Sequence, residues 1–181
     1  QSWQMENRYK TMSAGKFDFG FAVDWMRKDL AICLKTGDEI GASLSVGGDW
    51  DSTTVTVSGL SRDRDRLLEI LADVVLRPRF EAGEATKARG EMLASLERAK
   101  DDPSTLARWN LARALYDGHP YGAPRGGTSA SVARLDAPQA RAFHRSIFVP
   151  NDAIFFAAGD VAMESLLPVV GEAFGAWERG E

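Results

Sequence analysis

The twenty residues from Gly41 to Leu60 constrain this chain most tightly. Leu44 and Val46 alternate with Ser43 and Ser45, and a second run sets Val55 and Val57 against Thr54, Thr56 and Ser58. Alternation of period two gives each segment one apolar and one polar face, the pattern of a half-buried strand. Gly47, Gly48, Asp49 and Asp51 lie between the runs and supply turn chemistry. The two segments are therefore expected to pair as an antiparallel hairpin. A lone hairpin is marginal in water, so its apolar face requires cover from elsewhere in the fold.

The next hundred residues offer that cover as helices. Ser61 is placed to cap a helix running to about Leu76, with Leu67, Leu68, Leu71, Val74 and Val75 on one face and Pro78 as its stop. A second helix is expected over Glu81 to Lys100, carrying Ala85, Ala88, Met92, Leu96 and Ala99 in line. Asp102 caps a third, with Pro103 in its first turn and an apolar stripe of Leu106, Trp109, Ala112 and Tyr116. A loop rich in glycine and proline, Gly118 to Gly127, leads to a short helix over Ser129 to Leu135. Asp136 and Gln139 form a capping box for the next helix. Pro150 and Asn151 turn the chain into Ala153–Ala158, apolar throughout, which reads as a central strand covered on both faces. Asp160 opens a last helix with Leu167, Val170, Phe174 and Trp177 inward. Strands cluster and helices cluster, which predicts an α+β fold with a mostly antiparallel sheet and helices packed on one face.

Residues 1–37 differ from the rest. They hold six aromatic residues, and six basic against four acidic side chains give them a charge of +2, whereas residues 38–181 carry −6. Phe17, Phe19 and Phe21 suggest a short strand, and Val23 to Leu34 a helix. The expected division is an unassigned segment 1–37 and a domain over 38–181. The overall charge of −4 argues against a nucleic-acid face, which needs concentrated basic residues. No apolar run reaches the roughly 20 residues of a membrane span. The lone Cys33 excludes an internal disulfide and reads as a small buried hydrophobe. The start at Gln1 shows no signal peptide and fits a fragment or a processed piece, so a cytoplasmic or a periplasmic setting is equally open.

Chemistry-bearing clusters are sparse. His119 and His144 are the only histidines and stand 25 residues apart, so no paired-histidine helical zinc motif exists. His119, between Gly118 and Pro120, is expected to bond local backbone, and His144 to sit at a surface or rim position. Asp49 to Thr53 has a superficial likeness to a calcium loop but carries Leu60 where the bidentate glutamate belongs. Gly122 to Thr128 neither follows a strand nor ends in the lysine of a phosphate-binding loop. Arg62, Arg64 and Arg66 interleave with Asp63 and Asp65 as a solvated helix start, and Asp101 and Asp102 read as capping residues rather than a catalytic pair.

Several segments, in order, nonetheless carry a family likeness. They are Gly41 to Val46 with Asp51 to Val55, Leu67 to Pro78 with Phe80, Asp101-Asp102-Pro103, His119-Pro120-Tyr121-Gly122, Gly127-Thr128, Ala158-Gly159-Asp160 and Phe174 to Trp177. From Gly41 onward the chain resembles the M16 peptidases, the group of pitrilysin, insulin-degrading enzyme and mitochondrial processing peptidase. The resemblance implies a zinc site built from a His-x-x-Glu-His helix and a distant glutamate. The histidine motif should precede Gly41, where residues 1–40 hold no histidine, and the distant glutamate should fall at Ser95, with Glu91 and Glu97 nearby but elsewhere on the helix.

The expectation is therefore an M16-like domain with no catalytic residue and no metal ligand of its own, inactive alone. Zinc would belong to an active partner half, and a second M16-type half or subunit is the expected partner. The strand Ala42, Ser43, Leu44, Ser45 and Val46 matches the family's edge region and is the candidate for adding a peptide substrate as an extra strand. Two alternatives follow from the same resemblance: a structural or assembly subunit that handles no peptide, and a truncated piece of an active zinc endopeptidase.

Overall fold

The computed structural model describes residues 41–180. The strand and helix suggested within residues 1–37, and Cys33, lie outside the described residues. The hairpin forms as its alternation requires. Strand β1 (Ser43–Gly48) pairs antiparallel with β2 (Thr53–Ser58), with Leu44 opposite Val57 and Val46 opposite Val55. These pairings put the apolar residues of both strands on one face, where Val46 is only 6% exposed. The opposite face carries Ser43 and Ser58, whose hydroxyls bond each other at 2.8 Å.

Six helices follow: α1 (Arg64–Leu76), α2 (Ala82–Ala99), α3 (Pro103–Leu115), α4 (Ser129–Val132), α5 (Ala137–Ile147) and α6 (Met163–Phe174). Helix α1 lies against β2 and α6. It buries Leu67, Leu68, Val74 and Val75 of the expected face, whereas Leu71, expected there too, is half-buried and Ile70 and Ala72, not expected, are buried. Ser61 starts a 3₁₀ turn, and no side chain caps α1. Ala85 and Ala88 let α2 approach the core closely, where they meet Val46, Val74, Phe80, Val132, Leu135 and Ala140. The fold is α+β, and the one sheet among the described residues is this hairpin.

Caps mark several helix starts where the sequence placed them. The Asp102 carboxylate accepts from the Ser104 and Thr105 N–H groups, whereas Asp101 caps nothing. Asp136 and Gln139 close a reciprocal box on α5, and Thr128 and Ser131 close a second on α4. The last helix begins at Met163 rather than Asp160, and its buried leucine is Leu166, with Leu167 outside.

Two larger expectations fail. The stripe on α3 is not core: no residue of that helix is buried, and Leu106, Leu111, Leu115 and Tyr116 are exposed. Ala153–Ala158 pairs with no strand among the described residues, and all six residues are exposed. Apolar patterning reports that a face requires cover, and here the described residues do not supply it.

Candidate functional site

The candidate peptide edge begins at Ala42, just ahead of β1, and runs through Val46. Leu44 and Val46 face the helices, and Ser43 and Ser45 face solvent. Among the described residues β1 pairs only with β2, and no other described strand joins its far edge. An open edge offers a row of unpaired backbone donors and acceptors that an extended chain can join.

The turn of this hairpin is fixed from a distance. Asp49 and Ser52 close it with a backbone bond of 2.8 Å, and the Asp49 carboxylate accepts the Trp50 N–H at 2.8 Å, so the acidic residues form a turn rather than a calcium loop. The Tyr121 hydroxyl donates to both oxygens of Asp51, at 2.7 and 2.8 Å. Arg125 donates to the Gly48 carbonyl at 2.9 Å. The Trp50 ring lies 5.4 Å from that of Tyr121, which also meets Tyr116 and His119. Gly122 lets the loop fold back against the end of α3: a Cβ there would lie 2.7 Å from the Tyr116 carbonyl oxygen. None of this clasp was read from the sequence, although Tyr121 and Arg125 in a rigid Gly/Pro loop were its visible signal.

The histidines serve structure. His119 accepts the Tyr121 N–H on Nδ1 at 3.2 Å, a local backbone bond as expected. His144 corrects its expectation: it is 7% exposed, not at a rim. Its Nε2 lies 2.9 Å from the Val75 carbonyl oxygen, which can only accept, so Nε2 carries the proton. Phe148 stacks on the ring at 4.5 Å and Phe80 meets it edge-on at 5.5 Å. Burial is the main cause that pulls its pKa below the ordinary histidine value, with the Arg145 charge adding to it and the Val75 bond opposing.

A zinc site does not fit these residues. Ser95 is an exposed serine on α2, with no ligating carboxylate at the position the resemblance assigns to the distant glutamate. Glu97 is held by Lys100 at 2.6 Å and by the Ser129 hydroxyl at 3.3 Å, and the Lys100 bond chiefly lowers its pKa. Among the described residues no group of three or more His, Cys, Asp or Glu could hold a metal ion. No helix among them is long and apolar enough to cross a membrane.

Comparison with known proteins finds two likenesses that overlap along the chain. A solved structure described as the peptidase M16 inactive domain from Pseudomonas fluorescens superposes with a TM-score of 0.76 at 25% identity, over 81% of this chain and 36% of its own. This chain therefore has the fold of an M16 peptidase domain and is similar in sequence to M16-type proteins. An M16-like peptidase from Alicyclobacillus acidocaldarius shares the fold of this M16-like domain, with a TM-score of 0.77 at 21% identity, over 90% of this chain and 39% of its own. An uncharacterized zinc protease of Mycobacterium tuberculosis is 29% identical over 139 residues, 77% of this chain and 32% of its own length. Subunit 1 of the mitochondrial cytochrome b-c1 complex of Caenorhabditis elegans is 30% identical over 121 residues, 66% of this chain and 26% of its own.

The front of the chain matches something else. The family described as NAD-binding of NADP-dependent 3-hydroxyisobutyrate dehydrogenase matches residues 1–67. An uncharacterized oxidoreductase of Shewanella frigidimarina is 49% identical over 72 residues, 40% of this chain and 25% of its own. The chain thus spans between a quarter and a third of the length of these curated relatives.

Proposed function

We propose that residues 38–181 act as a non-catalytic M16-type half that helps a zinc-bearing half to enclose and hold peptide. The observation that carries this reading is Ser95, which stands where the zinc-binding glutamate would belong, in a chain whose two histidines are both occupied structurally. The likeness to an M16 inactive domain supports it. On this reading the edge from Ala42 to Val46 adds the peptide as a further strand, and the partner supplies all the bond-breaking chemistry. The test mixes the purified chain with a zinc-bearing M16 half and follows cleavage of a fluorogenic peptide. Cleavage should rise with added chain, with new amide protection at residues 42–46, while elemental analysis finds no stoichiometric zinc in the chain itself. Stoichiometric zinc in the isolated chain would sink the reading.

The cytochrome b-c1 subunit favours a second reading, that of an assembly subunit with no peptide role. It predicts a stable complex with the partner half and no change in peptide cleavage.

We further infer that the boundary of the M16-like part lies near Gly37, with the preceding segment of dehydrogenase-like ancestry. The dehydrogenase match runs on to residue 67, but over 41–67 the chain forms the hairpin and the start of α1.

A further inference from the structure

The last residue of β1 makes a hydrogen bond that limits what the strand's far edge can accept. Backbone groups along an antiparallel strand alternate between the partner strand and the opposite edge. The Asp49 N–H bonds the Ser52 carbonyl, so Asp49 turns its backbone groups toward the β2 side. Counting back along β1, Gly47, Ser45 and Ser43 also turn their backbone groups toward β2, and Gly48, Val46 and Leu44 turn theirs away. The Gly48 carbonyl therefore points to the edge that β2 does not use. Arg125 Nη1 donates to that oxygen at 2.9 Å and lies 3.5 Å from the Asp49 carboxylate.

The base from which Arg125 reaches is fixed. It stands in a turn closed by the Gly127 N–H on the Pro124 carbonyl at 2.9 Å. Gly127 has a φ of 80° and lies so close to α4 that a Cβ there would be 2.9 Å from the Ser131 hydroxyl. Thr128 and Ser131 then close their capping box, and Val132 behind it is 1% exposed in the core. The Arg125 side chain itself is 57% exposed. A bulky cation is thus held from the core at one end of a strand edge.

We propose that Arg125 is a positioning residue that sets where strand addition on β1 ends: an extended peptide joining this edge bonds at Leu44 and Val46 and is stopped before Gly48. An added strand, in either direction, uses both the N–H and the C=O of each residue whose backbone faces it. At Gly48 the carbonyl is already taken, and the guanidinium stands where the incoming backbone would lie. The same contact fixes register, because a peptide shifted by two residues toward the turn meets Arg125. This inference rests on the reading of Ala42–Val46 as a peptide edge and names the residue that limits it.

The experiment uses the full chain, the peptide Thr-Val-Thr-Val-Thr-Val-Thr blocked at both termini, and amide exchange read residue by residue. In the parent chain the peptide should slow exchange at Leu44 and Val46 and leave Gly48 unchanged. In Arg125→Ala it should slow Gly48 as well, by about fivefold, the size of one added hydrogen bond. A response at Leu44 and Val46 in that variant also shows that its hairpin is intact. Tyr121→Phe is the control for a merely loosened turn, since it removes a bond to the same hairpin and leaves Gly48 capped, and it should keep the parent pattern. Slowing at Gly48 in the parent chain would overturn the proposal, because no stop would exist there. Gly48 unchanged in Arg125→Ala while Leu44 and Val46 respond would overturn it too, as would the same extension in Tyr121→Phe. No response at Leu44 and Val46 in any chain would instead sink the peptide edge itself, and the stop with it.

Discussion

Phe80 shows how much one side chain can hold at the residue scale. Its φ of 51° lies in the left-handed region, which costs a bulky residue on the order of 1–3 kcal/mol. The ring is 2% exposed and central to the core, and that burial outweighs the backbone cost. Phe80→Ala should lower unfolding free energy by about 3–5 kcal/mol in urea titrations, because it removes the ring and keeps the strain. His144 makes the chain sensitive to acid. Its folded pKa lies below the ordinary 6.5, so the unfolded chain takes up the proton first as pH falls. Its contribution to stability is complete above about pH 6.5 and is lost as pH drops from there toward the folded value. Melting temperature measured across that interval should fall in the parent chain, and His144→Phe should remove this part of the slope. Tyr121→Phe deletes only the hydroxyl on Asp51 and should cost about 1 kcal/mol, read from the same titrations.

Elements separate what could be read from the sequence from what could not. The hairpin was legible because alternation, turn residues and register all depend on neighbours in sequence, and Leu44 does face Val57 across it. The α5 box was legible for the same reason, since Asp136 and Gln139 serve groups within one turn. Asp136→Ala should therefore destabilise the chain by about 1 kcal/mol, measured by thermal unfolding. Failures occur where the partner is remote. Leu106, Leu111 and Leu115 of α3 and Ile154 and Phe156 of the segment Ala153–Ala158 have the composition of core, but composition does not say which polypeptide covers them. His144 misled in the other direction. A titratable side chain on an amphipathic helix looks like surface until the Val75 carbonyl that accepts its N–H is in view. The lack of a His-x-x-Glu-His motif is a matter of spacing alone, because the two histidines stand 25 residues apart. Ser95→Glu should accordingly restore no zinc binding, as read by titration calorimetry.

Across the whole molecule, two likenesses meet within one chain, to a dehydrogenase family over residues 1–67 and to M16 domains over most of the described fold. If the boundary lies near Gly37, deletion of residues 1–37 should leave the urea midpoint of the remainder nearly unchanged. A loss of cooperative unfolding would instead place the hairpin in one folding unit with the deleted segment. The clasp between hairpin and loop has a further consequence in time. Asp51 and Tyr121 are 70 residues apart, and Gly48 and Arg125 are 77 apart. At translation rates of roughly 5–20 residues per second, the hairpin leaves the synthesis site about 4–14 s before the tyrosine that fastens it exists. For those seconds the hairpin's apolar face lacks part of its cover, because Val132, Leu135 and Ala140 of the core arrive later still. The nascent chain is therefore most exposed to mispairing in its first third, and a chaperone that binds short apolar strands would act on it there.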